Sequence, residues 1–242
     1  MTKNERAQLE VGLKQFVERF KNAASANLHS VVLYGSAVSS DFHENFSDVN
    51  LLCLLHDVSA PAMVALSDTI AWWKKQKQSV PLLLSVEELT DAADVFAIEL
   101  LDMKRHRRVL HGEDLIANLV IPLRLHRVQV EHELRTKLIL LRQTFVTRSS
   151  HKPEVLKLML DSVSSFVTLF RHALIAMGEE PESSKRAMLQ QVQRKTNVDT
   201  RAFLELLSVR EGSLKADALD GQAVFPSYLR TIESVISAVD RL

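Results

Sequence analysis

The stretch that decides the fold is Leu33-Tyr34-Gly35-Ser36, eleven intervening residues, then Asp48-Val49-Asn50-Leu51. His29 to Tyr34 (HSVVLY) is short and β-branched and ends at a glycine, which reads as a strand. Val49 to Leu55 (VNLLCLL) is a second apolar run of strand length. Strand alternation puts Asp48 and Asn50 on one face and Val49 and Leu51 on the other. Two oxygen-bearing side chains on one strand face, beside a Gly-Ser turn, suit a phosphate-bound Mg²⁺. That ion takes oxygen ligands, usually one or two carboxylates plus substrate phosphates. Gly35 lets the backbone approach a phosphate closely. Ser36 offers a hydroxyl and an N–H to a phosphate oxygen. The competing reading makes Asp48 and Asn50 plain turn residues that open a strand, since Ser-Asp is common in turns. The strand and Gly-Ser upstream favour the site.

Outward from this stretch, the first half alternates short apolar runs with helical patterns. Leu9, Leu13, Phe16, Val17 and Phe20 recur at spacings of three and four, so residues 5–22 read as an amphipathic helix. Residues 61–77 read as a helix with Trp72 and Trp73 near its end, and two adjacent tryptophans cannot both face one core. Val80 to Leu84 is a third strand candidate and carries no acid. Ser85 with Glu88 three residues on is a capping-box start for a short helix. Phe96 to Met103 (FAIELLDM) reads as a strand or a helix, and periodicity does not decide between them. The second half reads as helix throughout, at roughly 122–146, 153–177, 183–195, 199–210 and 226–241. Gly178 suits a helix C-cap, and Pro226 the first turn of the last helix. This pattern describes a helical bundle after a small α/β domain, with the linker near Gly112 to Ile121.

The chain has 242 residues, with 30 Lys+Arg and 30 Asp+Glu. The zero net charge hides an acidic residues 1–120, with 12 basic against 16 acidic side chains, and a basic remainder with 18 against 14. A globally basic nucleic-acid binder and an acidic solvating tail are excluded. Hydrophobic residues make up 46%, enough to bury a core. The one cysteine, Cys53, rules out an intramolecular disulfide and a cysteine-rich zinc site. The first residues show no signal-peptide core, and no uninterrupted apolar run reaches the roughly 18 residues of a spanning helix. The expectation is a soluble cytoplasmic protein with no membrane partner.

With these residues in place, the sequence resembles the nucleotidyltransferase superfamily of the polymerase-beta type, whose signature is hydrophobic-Gly-Ser, a loop, then Asp-hydrophobic-Asp. The pairing with a helical second half resembles the aminoglycoside nucleotidyltransferases and small bacterial relatives. The resemblance implies an α+β fold: a small mixed-sheet nucleotidyltransferase domain at 1–117, followed by an all-α helical bundle at 118–242. It implies a nucleoside triphosphate and Mg²⁺ as ligands, and transfer of a nucleoside monophosphate to an acceptor hydroxyl. In the family two carboxylates on one strand and a third on a later strand hold two Mg²⁺ ions that align the α-phosphate and the acceptor. Gly35 and Ser36 match the triphosphate-contacting pair, and Asp48 matches the first carboxylate. Asn50 departs from the pattern, because the family has Asp there. Asn ligates through its carbonyl oxygen but brings no charge. Glu99 is the candidate third carboxylate and the acid that helps deprotonate the acceptor; on a helix it is instead an ordinary surface acid. The segment Arg108-Val109-Leu110-His111-Gly112-Glu113 resembles the one that follows that strand. The Asn50 departure also supports a second reading, a catalytically degenerate nucleotidyltransferase-like protein serving as nucleotide sensor or interaction module. Small antibiotic, protein and RNA all stay open as acceptor, as does assembly into a homo-oligomer.

Other features have plainer explanations beside the functional ones. Lys104-Arg105-His106-Arg107-Arg108 suits a triphosphate or a nucleic-acid backbone, but a solvated turn or helix face accounts for it better. Residues 121–157 carry 8 basic against 3 acidic side chains. Arg124, Arg127, Arg135 and Arg142 there suit either a cleft for a polyanion or a charged helix surface. Ser162, Ser164, Ser165 and Arg171 fit helix–helix contacts more readily than an acceptor site. His126 and His132 lack metal spacing along one helix.

Overall fold

In this computed structural model residues 3–38 and 49–242 are described, the side chains of residues 3–5 and of Ser36 excepted. The chain divides into two compact units, residues 1–122 and residues 123–242.

The first unit is a four-stranded sheet between two layers of helices. Its elements in chain order are α1 (Lys3–Ala24), β1 (Leu28–Tyr34), β2 (Asn50–Leu55), α2 (Ala60–Ala65), α3 (Ser67–Lys75), β3 (Leu82–Ser85), α4 (Val86–Asp91), α5 (Ala97–Arg105), β4 (Arg107–Gly112) and α6 (Leu115–Asn118). The strand order is β3-β2-β1-β4. β1 runs antiparallel to both β2 and β4, and β2 runs parallel to β3, so the sheet is mixed. β1 and β2 occupy the middle and are covered on both faces. That explains their continuous apolar runs, which a strand with one wet face would not need. On one face Val31, Leu33, Leu51, Cys53 and Leu55 pack against Leu13, Phe16 and Phe20 of α1 and Trp73 of α3. On the other, Val32, Leu52 and Leu54 pack against Leu89, Leu100, Met103 and Ile116 from α4, α5 and α6. Trp73 is buried against Phe16 with ring centroids 4.8 Å apart, while Trp72 is half-buried under the Arg19 guanidinium, 4.5 Å from its ring centroid. The two tryptophans thus divide between core and surface, as their adjacency requires.

The second unit holds five helices: α7 (His126–Arg148), α8 (Lys152–Ala176), α9 (Lys185–Thr196), α10 (Arg201–Arg210) and α11 (Gly221–Asp240). Its core gathers Phe166 and Phe170 of α8, Phe203 of α10 and Tyr228 of α11, with the Phe203 and Tyr228 rings stacked at 4.5 Å. α8 ends in a two-bond turn: Gly178 (φ +76°) donates to Ile175 O and Glu179 donates to Leu174 O. Both orphan carbonyls are satisfied, and only glycine takes that φ at no steric cost. Among the described residues α8 is long and apolar enough to cross a membrane, yet 61% of its apolar window is buried inside the protein.

Several sequence expectations need correction. Residues 61–77 form two helices rather than one, because the chain tightens at Leu66, whose N–H bonds Met63 O three residues back. The last helix starts at Gly221, not at Pro226. Asp220 caps it by accepting from the N–H groups of Gln222 and Ala223, which places Pro226 inside the helix. Phe96 to Met103 resolves as helix α5. β4 was hidden by its composition, since a strand beginning Arg-Arg has no apolar run to announce it. The capping box at Ser85 is present in full: Ser85 Oγ accepts from Glu88 N at 2.9 Å, and Glu88 Oε2 accepts from Ser85 N at 2.8 Å.

Candidate functional site

The candidate site lies where β1 ends and β2 begins. Because these strands are antiparallel, Tyr34 stands opposite Asn50 in the register. Directly opposed residues point to the same face, so both side chains are on the face covered by α5. Gly35 turns the chain at the end of β1 with φ +77°. Its N–H donates to His106 O at 2.9 Å, and its carbonyl accepts from Val38 N–H at 3.1 Å. A Cβ at Gly35 would stand 3.4 Å from Nδ2 of Asn50. Glycine is needed here for its φ; the Asn50 amide would stand at ordinary van der Waals distance.

Ser36 lies in the helical turn Gly35–Ala37, directly after that glycine. Asp48, the residue matched to the first family carboxylate, falls outside the described residues. The structure therefore sets the Asn50 side chain beside Gly35.

Glu99 is in the first turn of α5, and its side chain is exposed. It is on a helix rather than on a later strand, one helical turn from Asp102. Glu99 nonetheless belongs to this end of the sheet. Tyr34 is half-buried, its phenol is raised above the ordinary value first by burial, and the negative charge of Glu99 raises it further. The strands β3 and β4 contain no acid. Among the described residues no group of three His, Cys, Asp or Glu side chains converges to hold a metal ion.

The basic cluster at 104–108 has structural work. Lys104 Nζ donates to Leu119 O at 2.9 Å. Arg107 Nε reaches both carboxylate oxygens of Asp114 at 2.9 Å, holding the Asp114 carboxyl below its ordinary value. Arg108 pairs with Glu10 of α1 at 2.8 Å. These contacts pin the α5–β4 corner, and with it the His106 carbonyl that receives Gly35.

The arginines of α7 are engaged inside their own unit. Arg127 and Arg135 both bond Glu131, at 3.2 Å and 2.8 Å, and Arg142 bonds Glu233 at 2.6 Å. Ser162 Oγ bonds Leu158 O at 2.8 Å and lies 2.9 Å from the Tyr228 hydroxyl, a helix–helix contact. One feature escaped sequence reasoning. His126 Nε2 lies 3.0 Å from His172 Nδ1, both rings buried, one from α7 and one from α8. Spacing rules compare residues along one helix and cannot see a pair made between two.

No protein-family model matches the chain. No curated protein matches it either. Among solved structures it is similar to a crystal structure of spectinomycin adenyltransferase AAD(9) from Enterococcus faecialis with ATP and spectinomycin. The TM-score is 0.57 at 13% sequence identity, covering 94% of this chain and 98% of that one. At that identity the likeness speaks for the fold, and it spans the sheet unit and the helical unit together. The chain shares the α+β fold of that structure, a small mixed-sheet domain followed by helices.

Proposed function

We propose that this protein is a nucleotidyltransferase that moves a nucleoside monophosphate from a nucleoside triphosphate to an acceptor hydroxyl. The observation that carries the reading is the meeting of Gly35 and Asn50 where β1 ends and β2 begins, on a fold shared with an adenyltransferase. In this reading the Gly35–Ser36 turn receives the triphosphate, since a glycine with φ +77° leaves room for a phosphate beside the backbone. Asp48, Asn50 and Glu99 supply the oxygen donors. The donor set fits Mg²⁺ accompanying the triphosphate, because it consists of hard oxygens only. When bound, the ion neutralises charge building on the phosphates.

The chain's own residues then have distinct tasks. Glu99 accepts the proton of the acceptor hydroxyl. The acceptor oxygen forms its bond to the α-phosphorus as the bond from that phosphorus to the bridging oxygen breaks, and pyrophosphate leaves with the electron pair. Tyr34, held protonated by burial and by the charge of Glu99, would be a hydrogen-bond donor at the same face. In this reading the protein works in the cytoplasm, where a triphosphate donor is supplied. The neighbour's spectinomycin makes small polyhydroxylated antibiotics the first acceptors to try.

The test is calorimetric titration of ATP and the other triphosphates with Mg²⁺ into the full chain, followed by transfer assays with radiolabelled triphosphate against an acceptor panel. Binding of one triphosphate with release of pyrophosphate in the presence of an acceptor is expected. Absence of binding by every triphosphate sinks the proposal.

A further inference from the structure

Resting on the transferase reading, we propose that Arg107 is a positioning residue for the triphosphate: it sets the Gly35–Ser36 turn through the His106 carbonyl and touches no phosphate itself. Tyr34 and Arg107 stand opposite each other in the β1–β4 register. The next rung beyond that pair is the bond from Gly35 N–H to His106 O at 2.9 Å, where β1 gives way to the turn. The His106 carbonyl and the Arg107 N–H belong to one planar peptide unit. Whatever fixes Arg107 therefore fixes the direction of the carbonyl that receives Gly35.

Arg107 is held from two sides. Its Nε lies 2.9 Å from each carboxylate oxygen of Asp114, and its Nη1 donates to the Lys104 carbonyl in the last turn of α5. Lys104 Nζ donates in turn to Leu119 O at 2.9 Å, just past α6. Asp114 Oδ1 also accepts from Ala117 N–H at 3.1 Å, which caps the start of α6. These side chains tie the end of α5, the start of β4 and both ends of α6 into one corner. The ion pair is shielded, with the Arg107 side chain 18% and that of Asp114 33% exposed. A guanidinium gripping both oxygens of a carboxylate fixes orientation as well as distance. To bind a phosphate directly, Arg107 would have to give up these bonds.

Direct contact and positioning differ in the sign of their effect. Asn at position 114 keeps an oxygen for the α6 cap but loses the charge and the two-oxygen grip. If Arg107 touched the phosphates, freeing it and removing a nearby negative charge would tighten triphosphate binding. If Arg107 positions the turn, the same change weakens it.

The experiment is calorimetric titration of ATP, GTP, CTP and UTP with Mg²⁺ into the full native chain, Asp114→Asn and Arg107→Lys. It is run at a temperature where thermal melting shows all three folded. Arg107→Lys keeps the charge and loses the planar fork. Affinity for the bound triphosphate is expected to fall roughly ten-fold in both variants, the size of one lost hydrogen bond to a charged group. A pair that merely stabilised the fold would lower the melting temperature and leave the affinity of the folded chain as it was. Tighter or unchanged binding by Asp114→Asn, or native affinity in Arg107→Lys, overturns the inference and leaves the transferase reading standing. No binding of any of the four triphosphates by the native chain overturns both.

Discussion

Gly35 and Asn50 meet at the end of the central hairpin, where a side chain on the glycine would come to 3.4 Å from the asparagine amide. The φ of +77° is what disfavours any larger residue there. Gly35→Ala is expected to cost about 1–2 kcal/mol of stability from the left-handed backbone alone. On the transferase reading, triphosphate affinity should fall further than stability does, because the new methyl takes the space beside the backbone that a phosphate would enter. Thermal melting paired with ATP calorimetry separates the two effects.

Glu99→Gln should be nearly silent in stability, within about 0.5 kcal/mol, since the side chain is exposed. Transfer should fall by roughly 10²–10⁴-fold if Glu99 takes the acceptor proton. The Tyr34 phenol should also titrate at lower pH in the variant, though burial, the larger cause, still holds it above the ordinary value. Ultraviolet titration of the phenolate reads this without any substrate.

The Arg107–Asp114 pair makes one contribution to the dependence of stability on acid. The Asp114 carboxyl is held below its ordinary value, first by the hydrogen bond from Arg107, so folding favours the ionised form. That contribution is present above the ordinary Asp value of about 4 and is lost as the pH falls through the lower value of the folded state. Asp114→Asn should therefore be less stable than the native chain at neutral pH and lose that difference in acid. Urea melts at several pH values between 2 and 7 would show whether the gap closes.

Gly112 ends β4 with φ +76°, and a Cβ there would fall 2.1 Å from His29 O and 2.9 Å from Ser30. Both clashes are with the chain of β1 itself, so no side chain can swing aside. Gly112→Ala should separate the end of β4 from β1 and yield insoluble or strongly destabilised protein. Near-normal yield and melting temperature would contradict the close β1–β4 approach.

In the helical unit Tyr228 is fully buried with its hydroxyl 2.9 Å from Ser162 Oγ. Burial raises the Tyr228 phenol far above its ordinary value and the Ser162 bond partly offsets this, so the group stays neutral across the working range. Tyr228→Phe should cost about 1 kcal/mol, since the ring packing is kept and Ser162 retains its bond to Leu158 O. Chemical denaturation of the two chains measures the difference.

The sheet was legible wherever burial on both faces wrote an apolar run, as in β1 and β2, and wherever a cap wrote a polar pair, as in Ser85 and Glu88. β4 was not, because its Arg107 and Arg108 are held by Asp114 and Glu10, partners that only the folded chain brings near. The motif told that Asn50 opens the second strand beside the Gly-Ser turn, and the register of β1 with β2 sets it opposite Tyr34. The position of Glu99 was not, since an acid every few residues in an apolar run fits a strand or a helix equally; packing of Leu100 and Met103 against the sheet decides for helix. The His126–His172 pair lay beyond any reading along one element, because its two halves come from helices far apart in the chain.

The bond from Gly35 N–H to the His106 carbonyl has a consequence for the order of events as the chain is made. β1 and β2 are neighbours in sequence and can pair early, as a hairpin with local contacts. The strand that fixes the turn beyond β1 arrives only after α2, α3, β3, α4 and α5 have been synthesised, and closing so long a loop is slow. A nascent chain that has not yet passed His106 holds the hairpin without its finished corner. If the proposed function holds, nucleotide binding should therefore switch on late during synthesis, and could not template the folding of the strands that come before it.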